Sequence, residues 1–273
     1  MRKWFSLIVS TGIIAAVMFF FYREFHKNYA TIAASKININ AYGIAASLAA
    51  TLLAYLLVTC AWRYTLLILS PGMHYSFKES IPAVNLPSLT KYLPGKVWSY
   101  AIQMYWLSRS GFSKKVILYT NLLNVFVSLL MSALIGCMFF IFEPGYLSSQ
   151  VALLLLVGLL LLDLLFITCN SWLINWGLRL INRLFKRSIL FIETPKALLI
   201  NLQLMFAGIY ILFGLGAFFL CKGIGIPVEA RQLFAIISGV AIADSIGFLV
   251  FVVPGGFGVR EGVMYFILKG VTT

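Results

Sequence analysis

A chain of 273 residues with 62% hydrophobic and only 11% charged side chains, and a mean hydropathy of +0.97, is an integral membrane protein. No stretch is long and polar enough to form a soluble catalytic domain. The formal net charge of +13 would suit nucleic acid, but the cations flank apolar spans, where they set topology and meet anionic lipid instead.

Arg2 and Lys3 precede an uncharged run that ends Met18-Phe19-Phe20-Phe21-Tyr22, with no small-residue cleavage site, so a retained span is expected over 4–22. After a polar loop, residues 41–62 form a second uncharged run, long enough at about 1.5 Å per residue to cross about 30 Å of hydrocarbon. Residues 76–108 differ. Pro82, Pro87 and Pro94-Gly95 cut them into pieces too short to span, the pattern of a re-entrant hairpin or a broken helix; a surface loop with an aromatic interfacial helix is the plainer alternative.

Spans are next expected over 116–142, with Asn121, Asn124 and Ser128 near its start, and over 150–168, with Asp163 near its middle. In 170–187 the polar residues Asn175, Arg179, Asn182, Arg183 and Lys186 recur at helical spacing opposite Trp172, Leu173, Trp176, Leu180 and Leu184, which predicts an interfacial amphipathic helix. Span 197–221 carries Gly208, Gly214 and Gly216, which permit close helix contact. Span 233–253 carries Asp244 and runs into a second broken segment, 254–268. The expected fold is a single all-α polytopic membrane domain over 1–273, with about six transmembrane helices and two broken or re-entrant segments.

Loop charge orients the chain. The 143–149 turn has no Lys or Arg, whereas 179–196 holds Arg179, Arg183, Lys186, Arg187 and Lys196, so the first is expected outside and the second inside. Working backward puts the N-terminus in the cytoplasm if 76–108 re-enters without crossing, and sets Trp4, Trp62, Trp172 and Trp176 in one interfacial aromatic belt. Three crossings lie between the first broken segment and the span that carries the second, an inverted relation of the kind alternating access uses.

The four cysteines stand singly and no Cys/His ligand spacing occurs, so neither a disulfide nor a metal site is expected. Gly256-x-Gly258-x-x-Glu261 lacks the third glycine and the strand context of a dinucleotide site, and no cofactor is implied. The two breaks hold the chemistry. Lys91-Tyr92-Leu93-Pro94-Gly95-Lys96 and Pro254-Gly255-Gly256-Phe257-Gly258-Val259-Arg260-Glu261-Gly262 place cations beside helix N-termini, which together suit an anion. An arginine fork matches phosphate bidentately. Arg260 serves either a substrate phosphate or neutralisation of Glu261 or Asp244, and Lys96 either substrate or the interface. Asp163, as a carboxylate within a span, is a further functional candidate.

These two motifs resemble the flippase-like transmembrane family of lysylphosphatidylglycerol synthases, stand-alone members without the soluble synthase domain included. The resemblance implies a helical inner-membrane protein that handles lipid-linked substrates. It carries over to Pro94, Gly95 and Lys96 in the first motif and to Pro254, Gly255, Gly256, Gly258, Arg260 and Glu261 in the second, with Lys91 and Asp244 added on electrostatic grounds. The chain ends soon after the second motif, where members continue into further spans, so a shorter or truncated member is expected. The function so implied is flipping of an anionic or lipid-linked substrate, such as an aminoacylated phospholipid or a polyprenyl-linked glycolipid. The competing readings are a membrane subunit or enzyme acting on a lipid phosphate, and a scaffold for a glycosyltransferase or other lipid-modifying enzyme.

Overall fold

The computed structural model describes residues 39–89, 97–142, 148–185, 193–250 and 258–272, together with Phe19, Tyr22, Arg23 and His26. Every element among them is helical: α1 (Ala41–Ile68), α2 (Phe77–Leu89), α3 (Val97–Arg109), α4 (Lys114–Phe142), α5 (Ser149–Phe185), α6 (Lys196–Gly223), a 3-10 turn (Ala230–Gln232), α7 (Leu233–Leu249) and α8 (Val259–Thr272). Among the described residues five stretches are long and apolar enough to cross a membrane: Ala41–Ile68, Lys114–Ile141, Gln150–Cys169, Lys196–Gly223 and Ala230–Leu249. The chain is a polytopic all-α membrane protein. The first expected span, 4–22, lies outside the described residues except for Phe19 and Tyr22.

Local chemistry explains the helix ends. Asn40 begins α1, its side chain accepting from the backbone N–H groups of Tyr42 at 3.0 Å and Gly43 at 3.4 Å. Ser76 and Glu79 begin α2 reciprocally: Ser76 N–H donates to the Glu79 carboxylate at 3.0 Å, and Glu79 N–H donates to the Ser76 hydroxyl at 3.2 Å. Contacts from Ser76 to the carboxylate, its backbone N–H first, hold the Glu79 carboxyl below the usual carboxylate range.

Helix α1 does not stop at Trp62, where the sequence placed its end. It continues through Arg63, whose Nε donates to the carbonyl of Tyr75 at 2.8 Å, so the charge is satisfied within the fold. Trp62 itself is 4% exposed and donates from Nε1 to Asn121, so it belongs to the interior and not to an interfacial belt. Helix α5 is two helical stretches that meet at a kink: Cys169 is non-helical (φ −111°, ψ 18°), so the residues read as a separate amphipathic helix form a second stretch, described as far as Phe185.

Glycines set the helix spacing. A Cβ on Gly43 of α1 would lie 2.7 Å from Cα of Gly223 on α6, and Asn40 N–H donates to the Gly223 carbonyl at 2.8 Å. On α6, a Cβ at Gly216 would lie 2.8 Å from Thr51 Oγ1 of α1, and one at Gly214 would lie 2.6 Å from Ile237 Cα of α7. Backbones approach this closely in membranes only where side chains are absent, since packing replaces the hydrophobic drive there. Val127, Leu130, Leu198, Leu202 and Phe206 complete a core between α1, α4 and α6. Helix α5 packs chiefly on α4 and presents Leu154, Leu161 and Leu164 outward, as a lipid-facing helix should.

The short helices α2 and α3 form a hairpin against α1 and α4. At 13 residues each they reach about 20 Å, less than a bilayer core. Pro87 of α2 has no N–H to give the Ala83 carbonyl one turn earlier. That carbonyl accepts instead from Nε2 of the buried Gln103 on α3, at 3.1 Å. The proline opens a position on the backbone, and the neighbouring helix fills it.

Candidate functional site

A cavity of about 320 Å³ lies inside the bundle. Its lining comes from Val58 and Trp62 of α1, Pro87 of α2, Gln103 of α3, Asn121, Asn124 and Ser128 of α4, Phe206 of α6, and Asp244 and Phe248 of α7. The volume is at the lower end of the roughly 300–1,000 Å³ typical of small-molecule sites, room for a head group rather than a whole lipid. Helices α2 and α3, on either side of the first break, and α7, which precedes the second, all supply lining residues.

From the cavity a polar chain runs across four helices. Ser128 of α4 meets the hydroxyl of Tyr210 on α6 at 2.9 Å, Tyr210 donates to Asp244 Oδ2 on α7 at 3.0 Å, and Arg260 Nη2 of α8 pairs with Asp244 Oδ1 at 2.8 Å. The Tyr210 hydroxyl has one proton and the carboxylate only accepts, so Ser128 must be the donor to Tyr210. Ser132 and Ser245 add a second hydroxyl contact between α4 and α7. Arg260 is seated because Gly247 has no side chain: a Cβ there would overlap the Arg260 stem and lie 2.7 Å from its Nε. Asp244 engages the guanidinium through one nitrogen only, and Arg260 Nε is buried with no acceptor. Half of the fork is therefore unused.

This arrangement separates two alternatives that the sequence left open. Arg260 neutralises Asp244, and Glu261 has a different partner. The Glu261 carboxylate accepts from Gly258 N–H at 2.7 Å, closing the first turn of α8. Gly258 sits at φ 81°, a left-handed conformation that costs a side-chain-bearing residue about 1–2 kcal/mol.

Of the other sequence candidates, Lys91, Pro94, Gly95, Lys96, Pro254, Gly255 and Gly256 lie outside the described residues. Asp163 is placed elsewhere. It accepts from Gln203 Nε2 across the α5–α6 contact and does not line the cavity. Sequence reasoning missed Trp62, Gln103 and Tyr210, and noted Asn121, Asn124 and Ser128 without giving them a role. The available signal was a polar side chain within an apolar run, which in a membrane faces the bundle interior. Among the described residues no cluster of metal-ligating side chains occurs.

A family model described as the lysylphosphatidylglycerol synthase TM region matches residues 4–272. No curated protein compared with the chain matches it.

Proposed function

The chain belongs to the lysylphosphatidylglycerol synthase transmembrane family, a membrane region related to lipid synthesis and flipping, and from that premise we propose that it moves an anionic or lipid-linked substrate between leaflets. The observation that carries this reading is the cavity between the helices that flank both broken segments, joined through Asp244 to a half-used arginine fork. A head group enters the cavity while its chains stay in lipid. A phosphate of that head group takes the free edge of Arg260 and competes with Asp244 for the rest, since charge-assisted bonds to a fork are stronger bidentate than single. Loosening of the Asp244–Arg260 pair then uncouples α7 from α8 at the second broken segment. The ligand thus acts by differential contact with two arrangements of the same helices.

We place the protein in the cytoplasmic membrane, with residues 143–149 outside and 179–196 inside, on the positive-inside asymmetry of those loops. Cysteines introduced as Tyr146→Cys and Ser188→Cys, probed with an impermeant thiol reagent in intact cells, test this; labelling at 188 alone reverses the map.

The flipping assay is direct. Reconstituted vesicles carrying wild type, Arg260→Lys or Arg260→Ala at matched levels are scored for leaflet-resolved movement of aminoacylated phosphatidylglycerol and of a polyprenyl-phosphate glycolipid. A point charge cannot make two parallel hydrogen bonds, so Arg260→Lys is expected to lose nearly as much activity as Arg260→Ala. Full activity in Arg260→Lys would leave Arg260 as a structural counter-ion. Wild-type vesicles that move neither lipid would favour the membrane-subunit or scaffold reading.

A further inference from the structure

The cavity wall holds two polar atoms that no protein group satisfies. Asn121 and Asn124 stand one turn apart on α4, are 6% and 8% exposed, and both line the cavity. Their amide orientations are decided by their partners. Trp62 Nε1–H can only donate, and it lies 2.9 Å from Asn121 Oδ1; this leaves Asn121 Nδ2 as a buried donor with no acceptor. Asn124 Nδ2 donates to the Thr120 carbonyl at 2.8 Å, and a carbonyl can only accept; this leaves Asn124 Oδ1 as a buried acceptor with no donor. An unmet buried polar atom costs about 1–3 kcal/mol, so two together on a cavity wall specify what the cavity should hold.

We infer that Asn121 and Asn124 form a hydroxyl-recognition subsite, and that the head group this cavity takes carries a neutral polyhydroxyl part, a sugar or a glycerol, beside the phosphate that meets Arg260. A hydroxyl oxygen accepts from Asn121 Nδ2 while its proton goes to Asn124 Oδ1, and two adjacent hydroxyls serve equally. The alternatives each fail one atom: an ammonium has no lone pair for Asn121, a phosphate dianion has no proton for Asn124, and an acyl chain has neither. Residues three apart on a helix present side chains about 5–6 Å apart, the scale of one bridging hydroxyl or a vicinal pair. Water satisfies both atoms as well, and a ligand hydroxyl replaces it without losing a hydrogen bond. The inference rests on the cavity being the substrate chamber proposed above, and adds the class of head group.

The test uses the purified full chain in detergent, with the unfolding midpoint followed against monoglucosyl diacylglycerol, diacylglycerol with the same acyl chains, and methyl glucoside. A ligand that binds only the folded state raises the midpoint with concentration. Wild type is expected to respond to the glucosyl lipid well beyond diacylglycerol; a response to methyl glucoside as well shows that free sugar enters by the same chemistry. Asn121→Asp keeps an oxygen for Trp62 and removes the donor; Asn124→Leu removes the acceptor. Each should weaken the glucosyl response roughly tenfold, with the unliganded midpoint little changed. If Asn121→Asp does not fold, Asn124→Leu decides alone. Equal responses to glucosyl lipid and diacylglycerol in wild type, or a sugar-dependent response retained in Asn124→Leu, overturn the subsite. The same lipids in the flipping assay separate the two proposals. Sugar-selective binding without movement removes translocation and leaves the subsite, whereas movement without sugar selectivity does the reverse.

Discussion

The most discriminating test of the site is the identity of the partner of Arg260. Two double-mutant cycles are compared: Arg260→Met with Asp244→Asn, and Arg260→Met with Glu261→Ala. Methionine keeps an aliphatic stem against Gly247 while removing the charge, and asparagine keeps an acceptor for the Tyr210 hydroxyl. The side chains of Arg260 and Asp244 are 37% and 35% exposed, between an open surface and a closed core. Surface pairs contribute about 0–1 kcal/mol and breaking a fully buried pair costs about 3–5 kcal/mol, which sets the coupling here at about 2 kcal/mol. Glu261 touches the Gly258 N–H and not the guanidinium, so its loss costs about 1 kcal/mol as a cap and couples to Arg260 by less than about 0.5 kcal/mol. The assay is reversible unfolding in mixed micelles with increasing SDS, at fixed lipid content. A larger coupling to Glu261 than to Asp244 would refute the assignment.

Gly43→Ala should destabilise by about 1–3 kcal/mol, because its new methyl meets backbone rather than a side chain that can move, while Gly158→Ala, with open space around it, should be neutral or slightly stabilising; unfolding midpoints read both. Asp163→Asn should retain normal membrane levels, since an amide oxygen still accepts from Gln203, and loss of the protein from membranes would make the carboxylate charge a structural requirement. The Glu79 carboxyl is held low, so its capping contribution is present above the ordinary carboxylate range and is lost as pH falls through the folded value below it. Amide-exchange protection at Ser76–Ser80 should therefore fall at low pH in wild type, and should be low and pH-independent in Glu79→Ala, which has no acceptor for Ser76 N–H.

The long spans were legible because bilayer thickness forces uncharged runs of a given length, and nothing else in the chain imitates them. Their ends were less legible. Arg63 and Trp62 looked like the edge of a span, since a lone sequence does not show that Tyr75 offers a carbonyl or that Asn121 receives the indole. Ser76-x-x-Glu79 is a capping signature that could have been read directly. The second motif was identified from Arg260 and its glycines, but its partner was left between two carboxylates: Glu261 is adjacent in sequence, and Asp244, the three-dimensional partner, lies a helix earlier. Gln103 had no reading from sequence at all, because its role exists only through the carbonyl that Pro87 leaves vacant on another helix.

The backbone-to-backbone seam of Gly43 against Gly223 also bears on how the protein is made. These glycines are far apart in the chain, so α1 enters the bilayer and waits through the synthesis of α2 to α5 before its partner exists. Phe206, which closes one side of the cavity, arrives on that same late helix. Early in biogenesis the polar faces of α4 therefore have neither α6 nor α7 to turn toward, and closing a loop of that length has an entropic cost that only the finished seam offsets. Substitutions at Gly43 or Gly223 should show first as poor yield or slow maturation in the membrane, ahead of any defect in the protein that does complete assembly.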